Sequence, residues 1–360
     1  MNAPLYGEAE ITLIGTGGYG ESILLFLNNE DWIIIDSCVE PGNNYPASLQ
    51  YLKSIGANLD KVVLVICTHW HNDHIRGISQ VIKECINAQF CFSRAHDREK
   101  FLYFVSSDYQ KSNYDRLNSS SLEFVDSLTE LAKRSGRAIT ALENKILYNQ
   151  GNCHVYALSP SEFTMEAFDN ELAQLIPGIN PNIKAIRQTP NARSVAIYVK
   201  IGEHAALLGA DLEVSSNNKE GWLNILDNSL VVGNGKKASL FKISHHGSGN
   251  GYHERIFQEL LHPNPVSKLT PWNKADGLPD PQMLGVYLTH TDQLYMTAPY
   301  ISKSPKKRDK SIEKLIKSMN YELSEIKYKK GIISCRIKID DIGDTWRIIL
   351  RENSLKVEHD

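Results

Sequence analysis

The sequence predicts an α/β protein in which two β-rich layers are flanked by helices. Strand-like apolar segments occur in both halves of the chain, and a mostly helical stretch lies between them. One segment, Val62–Cys67, is a continuous apolar run of the kind that a strand buried on both faces needs. With 360 residues, 42% of them hydrophobic, and a net charge of −3, the chain is neither disordered nor a polycation that binds nucleic acid through bulk charge.

Three short strands are expected near the N-terminus, over Ile11–Ile14, Ile23–Leu27 and Trp32–Ile35. Turn residues between them indicate a meander. The loop Thr16–Gly20 looks like a dinucleotide-binding fingerprint, but it leads into a strand instead of a helix. That context argues against a Rossmann fold.

The next elements form a strand, polar loop and helix unit. Leu49, Leu52 and Ile55 recur at helical spacing and predict a helix that stops at Gly56. The strand Val62–Cys67 follows, and a helix is expected over 75–86 after the polar residues. Such units commonly carry a functional site, because the loop directs side chains into a crevice while the sheet holds them in place.

A helical elaboration is expected over about 96–149, where it would cover the sheet. Strand patterns return after it, and we expect one domain over residues 1–300. Residues 301–360 are expected to form a basic C-terminal extension that packs on this domain or completes it. The later strands are predicted over His154–Leu158, Ser194–Ile201, Ala205–Leu208, Leu240–Ile243, Gly331–Ile339 and Thr345–Leu350.

The strongest chemical signal is the motif THWHNDH, which contains His69, His71, Asp73 and His74. In an extended loop, residues two apart face the same way, so His69 and His71 can converge on one metal ion. Asp73 and His74 are then free to face a second ion. With 12 histidines in the chain, chance gives such a pattern roughly one time in a thousand, so an incidental polar loop is the weaker interpretation.

Two further segments fit the same site. The strand from Ala205 runs into Asp211, which places a carboxylate at a strand end where it can bridge two cations. The strand from Leu240 runs into His245 and His246, either of which can complete the shell of the second metal. The glycines after them leave backbone N–H groups able to meet an anion.

The remaining composition bears on location. Six cysteines are scattered without a CxxC pair, which predicts reduced core thiols and a cytoplasmic protein. No apolar run is long enough to span a bilayer, and residues 1–10 do not resemble a secretion signal, so no membrane association is expected.

The charge is distributed unevenly. Residues 303–338 contain 12 Lys plus Arg against 4 Asp plus Glu, a charge of +8, so the rest of the chain carries −11 of the total of −3. One interpretation is a solvated helix with outward lysines. The other is a surface that follows the phosphates of a nucleic acid near the active site.

Six segments carry a family resemblance: IIIDSC from Ile33, THWHNDH, ALSP from Ala157, NARS from Asn191, LLGADLE from Leu207 and KISHHGS from Lys242. They occur in an order similar to that of the metallo-β-lactamase fold. Within that fold the chain resembles most closely the domain attached to ComEC, the competence DNA-uptake channel, over roughly residues 10–300. The resemblance implies an αββα sandwich of two mixed β-sheets flanked by helices, with the helical stretch as an insertion.

The resemblance also implies a ligand set. One metal would be held by His69 and His71, a second by Asp73, His74 and His245, with Asp211 shared and Asp36 steadying the metal loop. The usual third histidine of the first metal falls near Ser159, where this chain has none. His154 lies a few residues earlier and is either a substitute ligand or a structural residue of its strand. Two divalent ions are implied, and histidine with carboxylate suits zinc or manganese.

The implied activity is that of a metal-dependent hydrolase, a phosphodiesterase or nuclease acting through a metal-bound hydroxide on DNA or RNA. Asp73 would orient the hydroxide and accept its proton, and His246 would stabilise the transition state or protonate the leaving group. Expected contacts to an anionic substrate are Asn191, Arg193, Ser194, Lys242 and Ser248.

Two alternatives remain open at the level of sequence. One is hydrolysis of a small phosphodiester, ester or lactone, such as a cyclic nucleotide. The other is a nucleic-acid-binding or partner-binding component of a defence or competence assembly, in which the metal site is secondary.

Overall fold

Strand pairing assembles two eight-stranded sheets, each containing parallel and antiparallel neighbours. The computed structural model describes residues 2–28, 30–93, 119–134, 138–174, 190–233, 235–273, 277–300, 309–319 and 330–358. Within these ranges, helices cover the outer face of each sheet, which confirms the predicted αββα sandwich.

The first sheet contains the predicted N-terminal meander. Its strands are β1 (Glu8–Gly15), β2 (Glu21–Leu27), β3 (Asp31–Ile35), β4 (Val62–Cys67), β5 (Gln89–Ser93) and β6 (Ala138–Ala141), joined by two C-terminal strands, β14 (Gly331–Lys338) and β15 (Arg347–Glu352). The strand order is β15-β14-β1-β2-β3-β4-β5-β6. Strands β3 to β6 are parallel, so the chain after each of them leaves from the same edge.

The second sheet follows the order β16-β13-β12-β11-β10-β9-β8-β7. Its members are β7 (Lys145–Gln150), β8 (Cys153–Ala157), β9 (Ile197–Ile201), β10 (His204–Leu208), β11 (Ala238–Lys242), β12 (Leu261–Leu269), β13 (Leu294–Met296) and β16 (Leu355–Lys356). Strands β10 to β13 are parallel. The sheet therefore has its own edge at which successive strands end together.

Helices pack on both outer faces. On the first sheet these are α1 (Ala47–Ser54), α2 (Asn72–Ile75), α3 (Ile78–Glu84) and α4 (Ser119–Ala132). The second half of the chain contributes α5 (Glu162–Gln174), α6 (Gly221–Asn228), α7 (Pro281–His290) and α8 (Lys310–Ser318). The expected helix over 75–86 is interrupted at Gly77, whose φ of +85° is a left-handed conformation that separates α2 from α3.

Apolar alternation explains the layers. Along β1, Ile11 and Leu13 face the second sheet, and Val199 of β9 faces back, so these residues form a core between the sheets. A second core lies between the first sheet and its helices, and a third between the second sheet and residues such as Trp222 of α6. Both sheets are thus buried on both faces in their central strands.

The helical prediction for about 96–149 is wrong over 138–149, where the chain forms β6 and most of β7. These segments are only four and six residues long, and pairing with β5 and β8 holds them as strands. Helix α4 does occur in the predicted region, and residues 96–118 lie outside the described residues. All six cysteines are buried and free, as predicted. No helix within the described ranges is long and apolar enough to cross a bilayer.

Candidate metal centre

The site lies where strands from both sheets end. Asp36 follows β3, and the THWHNDH loop follows β4, which is parallel to β3. In the second sheet, Asp211 follows β10 and His246 follows β11, which are also parallel neighbours. Because the two sheets pack face to face, these four strand ends bring histidines and carboxylates together.

The first donor set consists of His69, His71 and Asp211. His69 Nε2 lies 3.2 Å from His71 Nδ1 and 3.7 Å from Asp211 Oδ2. His69 and Asp211 are buried, and His71 is half-buried. The convergence of His69 and His71 follows from the alternating side-chain directions of an extended loop.

The second donor set consists of Asp73, His74, Asp211 and His246, all of them buried. Asp73 Oδ2 lies 3.0 Å from His246 Nε2 and 3.4 Å from His74 Nε2. Asp211 Oδ1 lies 3.3 Å from His74 Nε2. Asp211 therefore belongs to both sets, because its Oδ2 lies 3.7 Å from His69 Nε2 of the first set and 3.6 Å from His246 Nε2 of the second.

These donor sets fit divalent cations. Ligand atoms bound at about 2.0–2.1 Å around a tetrahedral ion lie roughly 3.3–3.4 Å apart, which is close to the donor separations found here. Two of the atoms, His74 Nε2 and Asp211 Oδ1, are buried without a hydrogen-bond partner among the described residues. Buried polar atoms are rarely left in that condition, and a shared cation satisfies both. The second set offers four protein ligands and the first three.

The pKa values of the histidines also fit a site for divalent cations. Burial lowers the pKa of His69 well below its usual value and also lowers the pKa of His71, which keeps both imidazoles neutral for ligation. At His74, burial opposes the charged form, yet the carboxylates of Asp211, Asp73 and Asp36 raise its pKa well above the ordinary value. Asp73 and Asp211, the carboxylates nearest His74 Nε2, thus favour a positive charge at this position.

Hydrogen bonds to the outer nitrogen orient three of the histidines. His74 Nδ1 donates to Asp36 Oδ2 at 2.8 Å, and His246 Nδ1 donates to the Thr270 carbonyl at 2.9 Å. The Thr68 hydroxyl donates to Asp36 and therefore accepts from His69 Nδ1 at 3.1 Å. Each of these histidines consequently presents Nε2 to the donor set. Asp36 takes the position that the resemblance implied.

His246, and not His245, completes the second set. Both residues have left-handed backbone conformations, with φ of +47° at His245 and +54° at His246. This turn directs His246 toward Asp73 and places His245 beside Asn250, to which His245 Nδ1 donates at 2.9 Å. The structure therefore brings His246 into the second donor set in place of the predicted His245, and the role of His246 as a proton donor stays a prediction.

Two predicted substrate contacts are buried structural groups instead. Lys242 is fully buried, forms an ion pair with Glu21 and donates to the Ala210 carbonyl at 3.1 Å. Ser194 is also fully buried, and its hydroxyl accepts the Asp211 N–H at 3.2 Å. Neither is accessible to a substrate, because their strands run beneath the ligands.

The other predicted contacts, Arg193, Asn191 and Ser248, are also buried, with 1%, 6% and 6% of each residue exposed. The Arg193 guanidinium is stacked over Phe168 and Trp70, with its central carbon 4.0 Å and 4.9 Å from the two ring centroids. Asn191 Nδ2 lies 3.2 Å from His245 Nε2, and Ser248 Oγ lies 3.1 Å from His245 Nδ1. These polar groups surround His245 at the side of the ligands.

His154 lies outside both donor sets. It is on β8 opposite Lys200 of β9, on the same strand face as Tyr156, which packs in the outer core of the second sheet. Strand alternation sends its side chain away from the layer between the sheets. The structure therefore does not place His154 as the third ligand of the first metal.

Several residues of the site were not predicted. Glu21, at the start of β2, pairs with Lys242 behind His74, and Trp272 stacks on His246 with ring centroids 5.6 Å apart. Thr68 and Thr270 supply the hydrogen bonds described above. Glu21 follows the glycine loop and Thr68 opens the histidine motif, so position next to a motif is the only sequence signal they carry.

Comparison with known proteins shows a similarity to one family. Residues 15–136, about a third of the chain, match the family model described as the metallo-beta-lactamase superfamily. No curated protein matches the sequence.

Solved structures resemble it at low identity. The superfamily member YhfI from Bacillus subtilis is 14% identical, with a TM-score of 0.34, and the match covers 65% of this chain and 70% of YhfI. A metallo-β-lactamase from Cronobacter sakazakii is 14% identical, with a TM-score of 0.32 and coverage of 57% and 63%. AidC, a dizinc quorum-quenching lactonase, is 18% identical, with a TM-score of 0.33 and coverage of 53% and 55%. The chain thus spans less than two thirds of the last two.

Proposed function

We propose that this chain is a metal-dependent phosphodiesterase of the metallo-β-lactamase superfamily that cleaves nucleic acid at a dinuclear centre. The observation that carries the proposal is the sharing of Asp211 between the two donor sets. A carboxylate within reach of both sets could help to hold two cations side by side. Enzymes that displace an oxygen at phosphorus commonly use such a pair.

When bound, two divalent cations lower the pKa of a water molecule and stabilise the attacking and leaving oxygens. The side chains of the protein fix the orientation of the ligands and hold the Asp73 carboxylate in its ionised form. Asp36 and Thr270 hold the imidazoles of His74 and His246 in one tautomer. Asp73 has a pKa far below its usual value, because His74 and His246 outweigh its burial, so its carboxylate is ionised and able to accept a hydrogen bond from a water molecule.

The preference for nucleic acid rests on sequence. The motifs from THWHNDH to KISHHGS resemble those of the ComEC-type domain, and residues 303–338 carry a charge of +8. A polyanionic substrate would bind through such a region with strong salt dependence.

The test combines metal analysis with a panel of substrates. The zinc-loaded and manganese-loaded proteins are assayed on linear single-stranded DNA, linear RNA, bis(p-nitrophenyl) phosphate and an acyl lactone. We expect two ions per chain and cleavage of a nucleic acid, with activity reduced about 10²–10⁴-fold in Asp73→Asn. The matched control is His154→Ala, which removes a histidine outside both donor sets and should leave metal content and activity unchanged.

A second candidate is a hydrolase of small esters, lactones or phosphodiesters. The half-buried rings of Trp70, within the histidine motif, and Trp272, stacked on His246, favour it, because apolar side chains next to the ligands suit a compact substrate. Turnover of only the small substrates would refute the nuclease proposal and support this one. Two bound ions with no hydrolysis of any substrate would point to a binding component.

A further inference from the structure

The helix α8 is amphipathic, and its apolar side is exposed. Ile312, Leu315, Ile316 and Met319 follow the spacing i, i+3, i+4, i+7, so they form one stripe along the helix. Ile312, Leu315 and Met319 are 50%, 56% and 55% exposed, and Ile316 is half-buried. The stripe is therefore not used to pack the helix into a core, as it would be in an ordinary surface helix.

The opposite side of the helix is basic. Lys310 and Lys314 are four positions apart, which places them on the helix face away from the apolar stripe. Lys310 and Lys314 are exposed. Over residues 303–317 the chain has seven Lys plus Arg and two acidic residues, although the protein outside 303–338 is strongly acidic.

Single exposed apolar residues occur elsewhere and carry no such implication. Ile342 and Leu230 are 76% and 70% exposed, but neither belongs to a helical stripe of exposed apolar residues. On α8 the exposed apolar residues are aligned and combined with clustered positive charge. A solvated helix needs no apolar stripe, and a surface that only follows phosphates needs none either.

We propose that α8 docks on an anionic phospholipid surface, with its apolar stripe in the headgroup region and the basic residues attracted to the lipid charge. A short helix with an apolar face, a basic polar face and low overall hydrophobicity has the composition of an interfacial helix. The lipid charge complements the +5 of residues 303–317, whereas the acidic remainder of the chain repels it. This helix lies on the bilayer and does not cross it. The inference is independent of the proposed reaction.

The test is flotation of the full-length protein with vesicles. We expect binding to phosphatidylcholine vesicles that contain 30% phosphatidylserine, little binding to pure phosphatidylcholine, and weaker binding as salt is raised. Leu315→Glu should reduce the bound fraction at least tenfold. Lys310→Ser combined with Lys314→Ser should reduce it by about tenfold, because each lysine near an anionic surface contributes roughly 1 kcal/mol or less.

Ile342→Glu is the matched control, since it places the same charge at an equally exposed apolar position outside α8. It should bind vesicles like the wild type. Circular dichroism and metal content verify that each variant is folded. Absence of binding to anionic vesicles, or unchanged binding by Leu315→Glu, would overturn the proposal.

Two other outcomes would also overturn it. The first outcome is that the protein does not bind vesicles but binds a single-stranded oligonucleotide, and that only the lysine variant fails to bind the oligonucleotide. In that case α8 is a nucleic-acid-binding surface. If the protein ignores vesicles and light scattering shows a dimer that Leu315→Glu converts to a monomer, the stripe is covered by a second copy of the chain.

Discussion

The ion pair between Glu21 and Lys242 should be a main support of the metal centre. Glu21 belongs to the first sheet and Lys242 to the second, and both side chains are almost completely buried. Lys242 Nζ also donates to the carbonyl of Ala210, a residue held at φ +44° immediately before Asp211. The pair therefore joins the two sheets directly behind the shared carboxylate.

Replacing Lys242 by methionine leaves the Glu21 carboxylate buried without its partner. Breaking a buried pair in this way costs about 3–5 kcal/mol of the free energy of unfolding. Loss of the bond to the Ala210 carbonyl is a smaller term of about 1 kcal/mol, because the His245 N–H still donates to that oxygen at 2.9 Å. Adding Glu21→Gln removes the second charge, and the double variant should regain about 2 kcal/mol or more.

The assay is equilibrium unfolding by denaturant at fixed metal concentration, arranged as a double-mutant cycle. The exposed pair Glu30 and Lys61 is the matched control, with side chains 57% and 45% exposed. Its coupling energy should be below about 1 kcal/mol. If Lys242→Met costs less than about 1 kcal/mol, or if Glu21→Gln destabilises the double variant further, the account of a charge-paired support is refuted.

Three further predictions concern the centre. Asp211→Asn should lose both ions, whereas His71→Ala should lose only one, and elemental analysis after dialysis distinguishes them; equal stoichiometry in the two variants would contradict a shared ligand. Metal affinity should rise with pH. In the metal-free protein, nearby carboxylates outweigh burial and raise the pKa values of His74 and His246. Each imidazole must therefore lose a proton before it can bind a metal ion. Calorimetry in buffers of different ionisation enthalpy measures that release, and a pH-independent affinity would count against it. Gly20→Ala should weaken metal binding, because the added Cβ would lie 2.7 Å from the Asp73 carbonyl oxygen. Gly42→Ala is the control, because a Cβ at Gly42 meets nothing within 4 Å.

The strand pattern of the first half was readable from sequence because its segments are apolar and continuous. Val62–Cys67 is buried on nearly every residue, and its ending marks the site. Strand β12 was not predicted, since Pro263 and Pro265 interrupt the pattern, yet it pairs in parallel with β11 and β13. The sequence does not signal β6 and β7 because they are only four and six residues long, and neighbouring strands supply their pairing.

The sequence by itself determined the family of folds and the residues of the first loop. The alternation of His69 and His71 is a property of local backbone geometry, so no distant contact was needed to infer their convergence. Asp211 was likewise expected because it follows a strand of small and apolar residues. These inferences depend only on neighbours within a few residues.

The choice between adjacent histidines and the role of buried charged residues depend on tertiary contacts. Two adjacent histidines are equivalent in sequence, and only the left-handed turn at His245 and His246 selects which one faces Asp73. From sequence, Lys242 is expected to contact a substrate, but in the structure it forms an ion pair with Glu21, which is distant in the chain. Side-chain direction in a turn and the pairing of buried charges depend on contacts between the two sheets, which no local pattern encodes.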